Sequence, residues 1–152
     1  MKLAEALVLR ADIQRRIEQL RERLKYSVLV QEGDSPPEDP ELLMNELDRL
    51  LLQLVELISQ INRTNTHASL RNGVSLTDAL AQRDVMKLRL SIFKSIADTA
   101  SRRIEHYSRS EIRNVATIDI GALRKQTDQL AQQHRELDTA IQEINWLTEL
   151  IA

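Results

Sequence analysis

Two short polar motifs carry the side chains of this sequence that are best suited to chemistry. The first is Asn62-Arg63-Thr64-Asn65, and the second is Tyr107-Ser108-Arg109-Ser110-Glu111. A guanidinium beside amides, hydroxyls and a carboxylate can hold an anion or begin an acid-base site. Capping of helix ends would explain the same residue types, and neither motif contains a Ser-His-Asp set or a glycine-rich phosphate loop. The motifs therefore indicate anion binding or capping before they indicate catalysis.

Histidine is the other residue type that could support a site. His67, His106 and His134 lie in different segments, and no Glu is followed three residues later by His, as ferritin-like metal centres require. His134 and Asp138 stand one helical turn apart, but two ligands do not make a zinc site. We therefore expect no metal and no cofactor.

The first motif is expected to meet the start of the next helix. In an antiparallel helix pair, the end of one helix and the start of the following one lie at the same end of the bundle. The resulting cluster would be either a loop clamp that caps both helices or a site for an anionic ligand. With the second motif included, the candidate ligand-binding residues are Asn62, Arg63, Asn65, Asp78, Arg83, Asp84, Tyr107, Arg109 and Glu111.

Composition restricts the classes of protein that this chain can represent. Its 152 residues suit a single domain, 1–152, and the absence of cysteine fits a reducing compartment, so we expect the cytoplasm. A formal charge of -2, with no long Lys/Arg run, makes nucleic acid an unexpected partner. No secretion signal is visible, and the most apolar window, 50–61, is too short to span a membrane.

The first half of the chain predicts two helices, over residues 2–30 and 40–62. The acidic loop 31–38 separates them, because Gly33 and three prolines after it would interrupt a helix. Asp39 is expected to cap the second helix, with Pro40 in its first position. Leucines follow at alternating spacings of three and four, and Leu51, Val55 and Ile58 widen this stripe beyond one seam.

The second half predicts two further helices, over residues 76–107 and 119–151. Ser75 begins a capping box that ends at Asp78, and Thr117 or Asp119 can cap the fourth helix. The flanks of Asn72-Gly73 could form a small hairpin, and an extended piece is predicted around Ile112, Val115 and Ile118.

Each of these two helices has an expected packing face. In helix three it consists of Leu80, Val85, Leu88, Ile92, Ile96, Ala100 and Ile104, with Arg83, Lys87 and Lys94 off it. In helix four it is a heptad seam of Leu123, Thr127, Leu130, His134, Leu137, Ile141, Ile144, Thr148 and Ile151.

Together these patterns predict an all-α fold. Four long helices would form an elongated antiparallel bundle or coiled-coil hairpins, with short irregular or β-like loop segments. The wide stripe of helix two and the long seam of helix four also predict a homo-oligomer.

Several fragments resemble the septicolysin-like family of small bacterial helical proteins. They are residues 2–7, 31–33, 38–40, 61–65, 76–80 and 107–112 and the pair Asn145-Trp146. The resemblance covers nearly the whole chain and implies no established activity, although the family label suggests a membrane-active cytolysin.

The sequence favours a cytoplasmic, non-enzymatic assembly or interaction protein. A small-anion-binding protein or an enzyme that uses 62–65 and 107–111 is the first alternative, its small-molecule ligand being unknown. A cytolysin is the second alternative.

Overall fold

The computed structural model describes residues 1–102 and 114–152, and these form four α-helices. The helices are α1 (Leu3–Ser27), α2 (Pro40–His67), α3 (Leu76–Ser101) and α4 (Ile120–Leu147). The described residues contain no strand, so the prediction of an all-α fold is confirmed.

The helices begin where the predicted capping residues stand. The Asp39 side chain accepts a hydrogen bond from the Glu41 N–H at 2.9 Å, and Pro40 follows it as the first helical residue. The Ser75 hydroxyl accepts from the Asp78 N–H at 3.1 Å. Asp119 accepts from the Ala122 N–H at 2.9 Å. Each cap satisfies an amide that the first helical turn leaves without a partner.

Helix α2 continues five residues beyond its predicted end. The polar run after Ile61 does not stop the helix, because its threonine side chains bond back to carbonyls one turn earlier. Thr64 Oγ1 donates to the Gln60 carbonyl at 2.8 Å, and Thr66 Oγ1 donates to the Asn62 carbonyl at 2.9 Å. Because their hydroxyls are satisfied within the helix, these threonines do not compete with its backbone.

The other three helices end earlier than predicted. Helix α1 stops at Ser27 and leaves Val28, Leu29 and Val30 exposed. Helix α3 stops at Ser101, where the Arg102 N–H turns back to the Thr99 carbonyl, and most of the predicted extension to Tyr107 lies outside the described residues. Helix α4 stops at Leu147 because the backbone that follows it pairs with the N-terminal segment.

Contacts divide the chain into two compact units. Unit 1 comprises residues 1–69 and 142–152, and unit 2 comprises residues 70–141. Helix α4 is continuous and contributes residues to both units. That the chain is a single domain stays a prediction.

In unit 1, helices α1 and α2 pack as an antiparallel hairpin. Arg16 pairs with Glu46 at 3.7 Å. Arg23, about two turns later in α1, pairs with Glu38, which is earlier in the chain than Glu46. Buried aliphatic side chains fill the space between the two helices, among them Ile13, Leu20, Leu43, Leu50, Leu57 and Ile61.

In unit 2, helices α3 and α4 are also antiparallel. The Arg83 guanidinium lies 3.3 Å from the Asp138 carboxylate, and Arg124 donates to the Ser101 hydroxyl at 3.0 Å. Within this unit, the predicted seam of α4 is buried or half-buried at every position: Leu123, Thr127, Leu130, His134, Leu137 and Ile141.

The predicted packing face of α3 is wrong at four of its seven positions, whereas Leu80 and Ala100 are half-buried and Ile104 lies outside the described residues. Apart from Leu80, the residues that lose exposure form a different alternation of threes and fours: Leu76, Ala79, Arg83, Met86, Leu90, Phe93, Ala97 and Ala100. Four aliphatic residues of the predicted face are exposed instead, namely Val85, Leu88, Ile92 and Ile96. At about 100° per residue, the two rows lie roughly 140° apart around the helix. Arg83, which was expected off the core, is a seam residue.

The loops contain turns where strands were expected. The Gly73 N–H donates to the Leu70 carbonyl at 2.9 Å, and Gly73 takes a φ of 84°, which a glycine adopts without strain. The turn at Asn72-Gly73 is therefore present, and the Leu70 N–H donates to the Val74 carbonyl at 2.8 Å across it, so the flanks form a minimal hairpin without a full strand. Val115 and Ile118 are not in a strand either, and Ile112 lies outside the described residues.

Candidate functional site

The first polar motif lies in the last turns of α2. Asn62 and Arg63 are exposed and Asn65 is half-buried, whereas Thr64 between them is 0% exposed. Arg63 makes no ion pair with any described residue. The motif therefore presents one guanidinium and one amide to solvent and directs its threonine into unit 1.

Thr64 holds the C-terminal segment of unit 1. Its Oγ1 accepts a hydrogen bond from the Ile151 N–H at 2.9 Å, while the same hydroxyl donates to the Gln60 carbonyl. One buried hydroxyl thus satisfies a backbone amide 87 positions away in the sequence. Its chemistry is structural: it joins the last turn of α2 to the end of the chain.

The N-terminal segment binds the same C-terminal residues. The Leu3 N–H donates to the Thr148 carbonyl at 2.9 Å, and the Leu150 N–H donates to the Met1 carbonyl at 2.9 Å. These bonds flank a single antiparallel bridge between Lys2 and Glu149. We call residues 1–3 and 148–151, joined in this way, the terminal clasp.

An ion pair reinforces the terminal clasp. The Lys2 ammonium lies 2.6 Å from the Glu149 carboxylate, and the N-terminal amine lies 3.3 Å from it. Hydrogen bonds from Lys2 and then from the N-terminus lower the pKa of Glu149 below its ordinary value. The carboxylate is exposed, so solvent screens this pair.

The start of α3 contains the second group of predicted site residues. The Asp78 carboxylate accepts from the Ser75 hydroxyl at 2.7 Å and so belongs to the helix cap. Arg83 lies 3.2 Å from Asp84 and 3.3 Å from Asp138, and its side chain is 27% exposed. Because two carboxylates already neutralise this guanidinium, Arg83 ties α3 to α4 in unit 2.

The structure therefore brings some of the predicted site residues together and leaves the rest untested. Arg83 and Asp84 are in contact within unit 2, whereas the α2 motif belongs to unit 1, and the meeting of the two groups stays a prediction. Tyr107, Arg109 and Glu111 lie outside the described residues.

Sequence reasoning missed two residues with structural roles, Thr64 and Asp138. The bond that gives Thr64 its role reaches Ile151, 87 positions away, so no local pattern indicates it. Asp138 lies one turn after His134 on α4. Its ion pair with Arg83 could have been predicted only if Arg83 had been placed on the packing face of α3.

The described residues offer neither a metal centre nor a membrane-spanning helix. These contain no group of three or more His, Asp or Glu side chains placed to hold a metal ion. His134 Nε2 is buried and has no hydrogen-bond partner within the same residues. Among the described helices, none is both long and apolar enough to cross a bilayer.

Unit 2 has an open recess of about 420 Å³ beside the end of α3. Ser95, Thr99, Asn114 and Thr117 supply its polar side chains, and Arg102 supplies the one charge among the described lining residues. Ile96, Val115 and Ile118 line it as well, and all three are exposed. A guanidinium with hydroxyls can hold an anion, but general acid-base catalysis would need a second titratable group.

Comparison with known proteins gives two consistent results. Residues 10–150 match a family of unknown function (DUF6847). The chain is also 42% identical to a protein from Corynebacterium diphtheriae, described as "a functionally unknown conserved protein", over 99% of each chain and with a TM-score of 0.93. No functionally curated protein matches the chain.

These results correct the family resemblance seen in the sequence. Neither the matching family nor the similar crystal structure points to septicolysin, so that resemblance is wrong. The hypothesis of a cytolysin rested on the same resemblance and falls with it. With a family match over most of its length and a 42% identical relative that it covers almost completely, the chain belongs to the family of unknown function DUF6847.

Proposed function

We propose that this protein is a non-enzymatic assembly protein of the cytoplasm that associates with further copies of itself. The observation that carries the proposal is an apolar row on α3, which we call the α3 stripe: Val85, Leu88, Ile92 and Ile96. These four side chains are 43 to 65% exposed. They follow one another at spacings of three, four and four, so they share one face of the helix.

Packing among the described residues does not account for the α3 stripe. The opposite seam of α3 already supplies the face that loses exposure, and a surface helix needs only one such face. Four neighbouring aliphatic side chains in water on the other side are typical of a surface that a protein partner covers. The heptad-like spacing fits a partner that lies along the helix.

The association is testable with the protein alone. Light scattering or sedimentation from about 1 to 500 μM should give a mass that rises above the 17.5 kDa of one chain. The double variant Leu88→Glu, Ile92→Glu should weaken association by at least about 100-fold. Two aliphatic contacts would be lost and two carboxylates desolvated, which together cost about 3 kcal/mol or more.

A matched control distinguishes association through the α3 stripe from nonspecific association through other exposed apolar residues. Val8→Glu places a carboxylate on α1 at a valine that is 66% exposed, close to the 65% of Val85. This variant should associate as the unaltered protein does, and circular dichroism should show both variants folded. A mass of one chain at every concentration for the unaltered protein would refute the proposal.

A further inference from the structure

Charged side chains of opposite sign flank the α3 stripe. Its first three residues, Val85, Leu88 and Ile92, define a central direction around the helix. At about 100° per residue, Asp84 lies roughly 70° to one side of this direction and Arg89 roughly 70° to the other. The stripe therefore has one acidic and one basic flank.

The same residues fit one heptad register of a coiled coil. With Val85 and Ile92 at a positions, Leu88 takes the d position between them. Asp84 then takes a g position and Arg89 an e position, and charges at e and g set the orientation of paired helices. Val or Ile at a with Leu at d is the combination that favours two parallel strands.

Neither flanking charge is fully used within its own chain. Arg83 bonds to Oδ1 of Asp84, at 3.2 Å, whereas Oδ2 has no hydrogen bond in the described part of the chain. The Asp84 side chain is 70% exposed. Arg89 is exposed, makes no ion pair with any described residue, and stands 4.9 Å from the Phe93 ring centroid. Both groups are therefore accessible to a second molecule.

The two flanks distinguish two ways of pairing α3 with α3. In a parallel pair, a g residue of one helix meets the e residue five positions further along on the other, so Asp84 meets Arg89 of the other copy. By symmetry this contact occurs twice. In an antiparallel pair, e faces e and g faces g, so the two Arg89 guanidinium groups would oppose each other and repel.

We propose that α3 of one copy pairs in parallel with α3 of a second copy, along the α3 stripe and with Asp84 of each beside Arg89 of the other. The inference rests on the proposed self-association and names what covers the stripe. Because both copies use the same surface, the contact is isologous and closes as a dimer, with the two-fold axis running between the helices. The exposed ion pairs set the orientation, and the aliphatic residues supply most of the affinity.

The seam is short. Toward the N-terminus, the next a position is Asp78, whose carboxylate is held in the helix cap by Ser75, about 10 Å along the axis from Val85. Toward the C-terminus, Ser95 and Thr99 occupy the next d and a positions. The apolar contact therefore covers about three helical turns, and so small an interface fits association in the micromolar range.

Thiol cross-linking reads the orientation directly, because the sequence contains no cysteine. In the parallel pair each residue of the seam faces its own copy, so Val85→Cys should form a disulfide-linked dimer on mild oxidation. In an antiparallel pair that aligns Leu88 with Ile92, the two copies of residue 85 would stand about 15 Å apart along the axis. That pair would instead link Val85→Cys to Ser95→Cys when the two variants are mixed.

Mass spectrometry of the linked peptides identifies which residues have joined. The parallel pair predicts links from 85 to 85 and from 95 to 95 in the mixture, and few from 85 to 95. Val8→Cys is the matched control, because Val8 on α1 is 66% exposed and Val85 is 65% exposed. This control should stay unlinked at the same concentration and so report the rate of random collision.

Charge reversal tests the flanking contacts independently. Arg89→Glu places a carboxylate beside Asp84 of the other copy and should weaken association by at least about tenfold in 50 mM sodium chloride. Adding Asp84→Lys restores opposite charges and should return association to within about threefold of the unaltered protein. Lys87→Glu reverses a charge roughly 130° around the helix from the centre of the stripe and should change association little. Circular dichroism should show all three variants folded.

The outcomes separate this inference from the proposed function. If the protein associates and residue 85 links to residue 95 in place of 85, the pair is antiparallel, and the inference is refuted while the proposed function stands. If the protein associates and neither link forms, the stripe meets another surface and the inference is refuted as well. Normal association of Arg89→Glu, or no rescue by Asp84→Lys, would also overturn it. If the unaltered protein is monomeric throughout, the proposed function itself fails.

Discussion

Replacing Thr64 with valine should destabilise the protein although the side chain keeps its shape. The hydroxyl is fully buried and accepts the Ile151 N–H at 2.9 Å. Valine fills the same space and offers no acceptor, so this amide would lose its partner in a part-buried position. The Gln60 carbonyl keeps its helical hydrogen bond in either case.

The size of the effect follows from what each substitution removes. An amide left without a partner costs about 1 to 3 kcal/mol, so Thr64→Val should lower the free energy of unfolding by that amount. For a chain of this length, that corresponds to a fall in Tm of about 2 to 12 °C. Thr64→Ser keeps the acceptor and loses one buried methyl group, which costs about 1 kcal/mol.

Thr66 provides a matched control two residues away. Its hydroxyl makes the same bond to a carbonyl one turn earlier, at 2.9 Å, but it is exposed and accepts no hydrogen bond from the described part of the chain. Thr66→Val should change the free energy of unfolding by less than about 0.5 kcal/mol. Chemical denaturation measures all three variants, and amide exchange should show faster exchange at Ile151 in Thr64→Val alone. Equal stability of Thr64→Val and Thr66→Val would refute the role assigned to the buried hydroxyl.

Three further predictions follow from individual contacts. The Ser27 hydroxyl is buried with no hydrogen-bond partner among the described residues, so Ser27→Ala should raise the free energy of unfolding by about 1 kcal/mol, and a lower Tm would contradict this. Hydrogen bonds from Lys2 and the N-terminus lower the pKa of Glu149 in the folded protein. The stabilisation that Glu149 contributes to the fold is therefore present above its unfolded pKa and is lost as pH falls through its folded pKa. The terminal clasp should therefore exchange its amides faster in Glu149→Gln than in the unaltered protein at pH 7, and the difference should vanish in acid. A double-mutant cycle on Arg83 and Asp138 should give a coupling energy of no more than about 1 kcal/mol, because the Asp138 side chain is 41% exposed. A coupling energy above about 3 kcal/mol would contradict this and show that the pair is shielded from solvent.

Helix starts could be predicted from the sequence because their chemistry is local. Asp39, Ser75 and Asp119 each cap an amide two or three residues away, so a short window contains the whole interaction. Helix ends could not be predicted in the same way. Helix α4 stops where its backbone meets Leu3 and Met1, nearly the full length of the chain away, and no local pattern encodes that pairing.

The packing face of α3 was mispredicted because the helix has two rows with helical spacing. The larger aliphatic residues, such as Leu88 and Ile92, form the exposed row, whereas the packed row contains Ala79 and Ala97. Small residues let a neighbouring helix approach closely, and a salt bridge lets Arg83 occupy a seam position. Which row packs depends on the partner helix, and hydrophobicity alone favours the wrong one. For the candidate site, the sequence identified the residues of each motif but could not establish their contacts.

The terminal clasp also bears on the order in which the protein can fold during synthesis. A ribosome releases the N-terminal residues first, and domains generally begin to fold in that order. The α1–α2 hairpin is made early, but Ile151, which bonds to Thr64, is 87 positions downstream and follows all of unit 2. Contacts between residues so far apart in sequence form slowly, because a long loop must close first. The buried Thr64 hydroxyl therefore lacks its partner until all of unit 2 has been translated, and unit 1 can be completed only after unit 2 has been made.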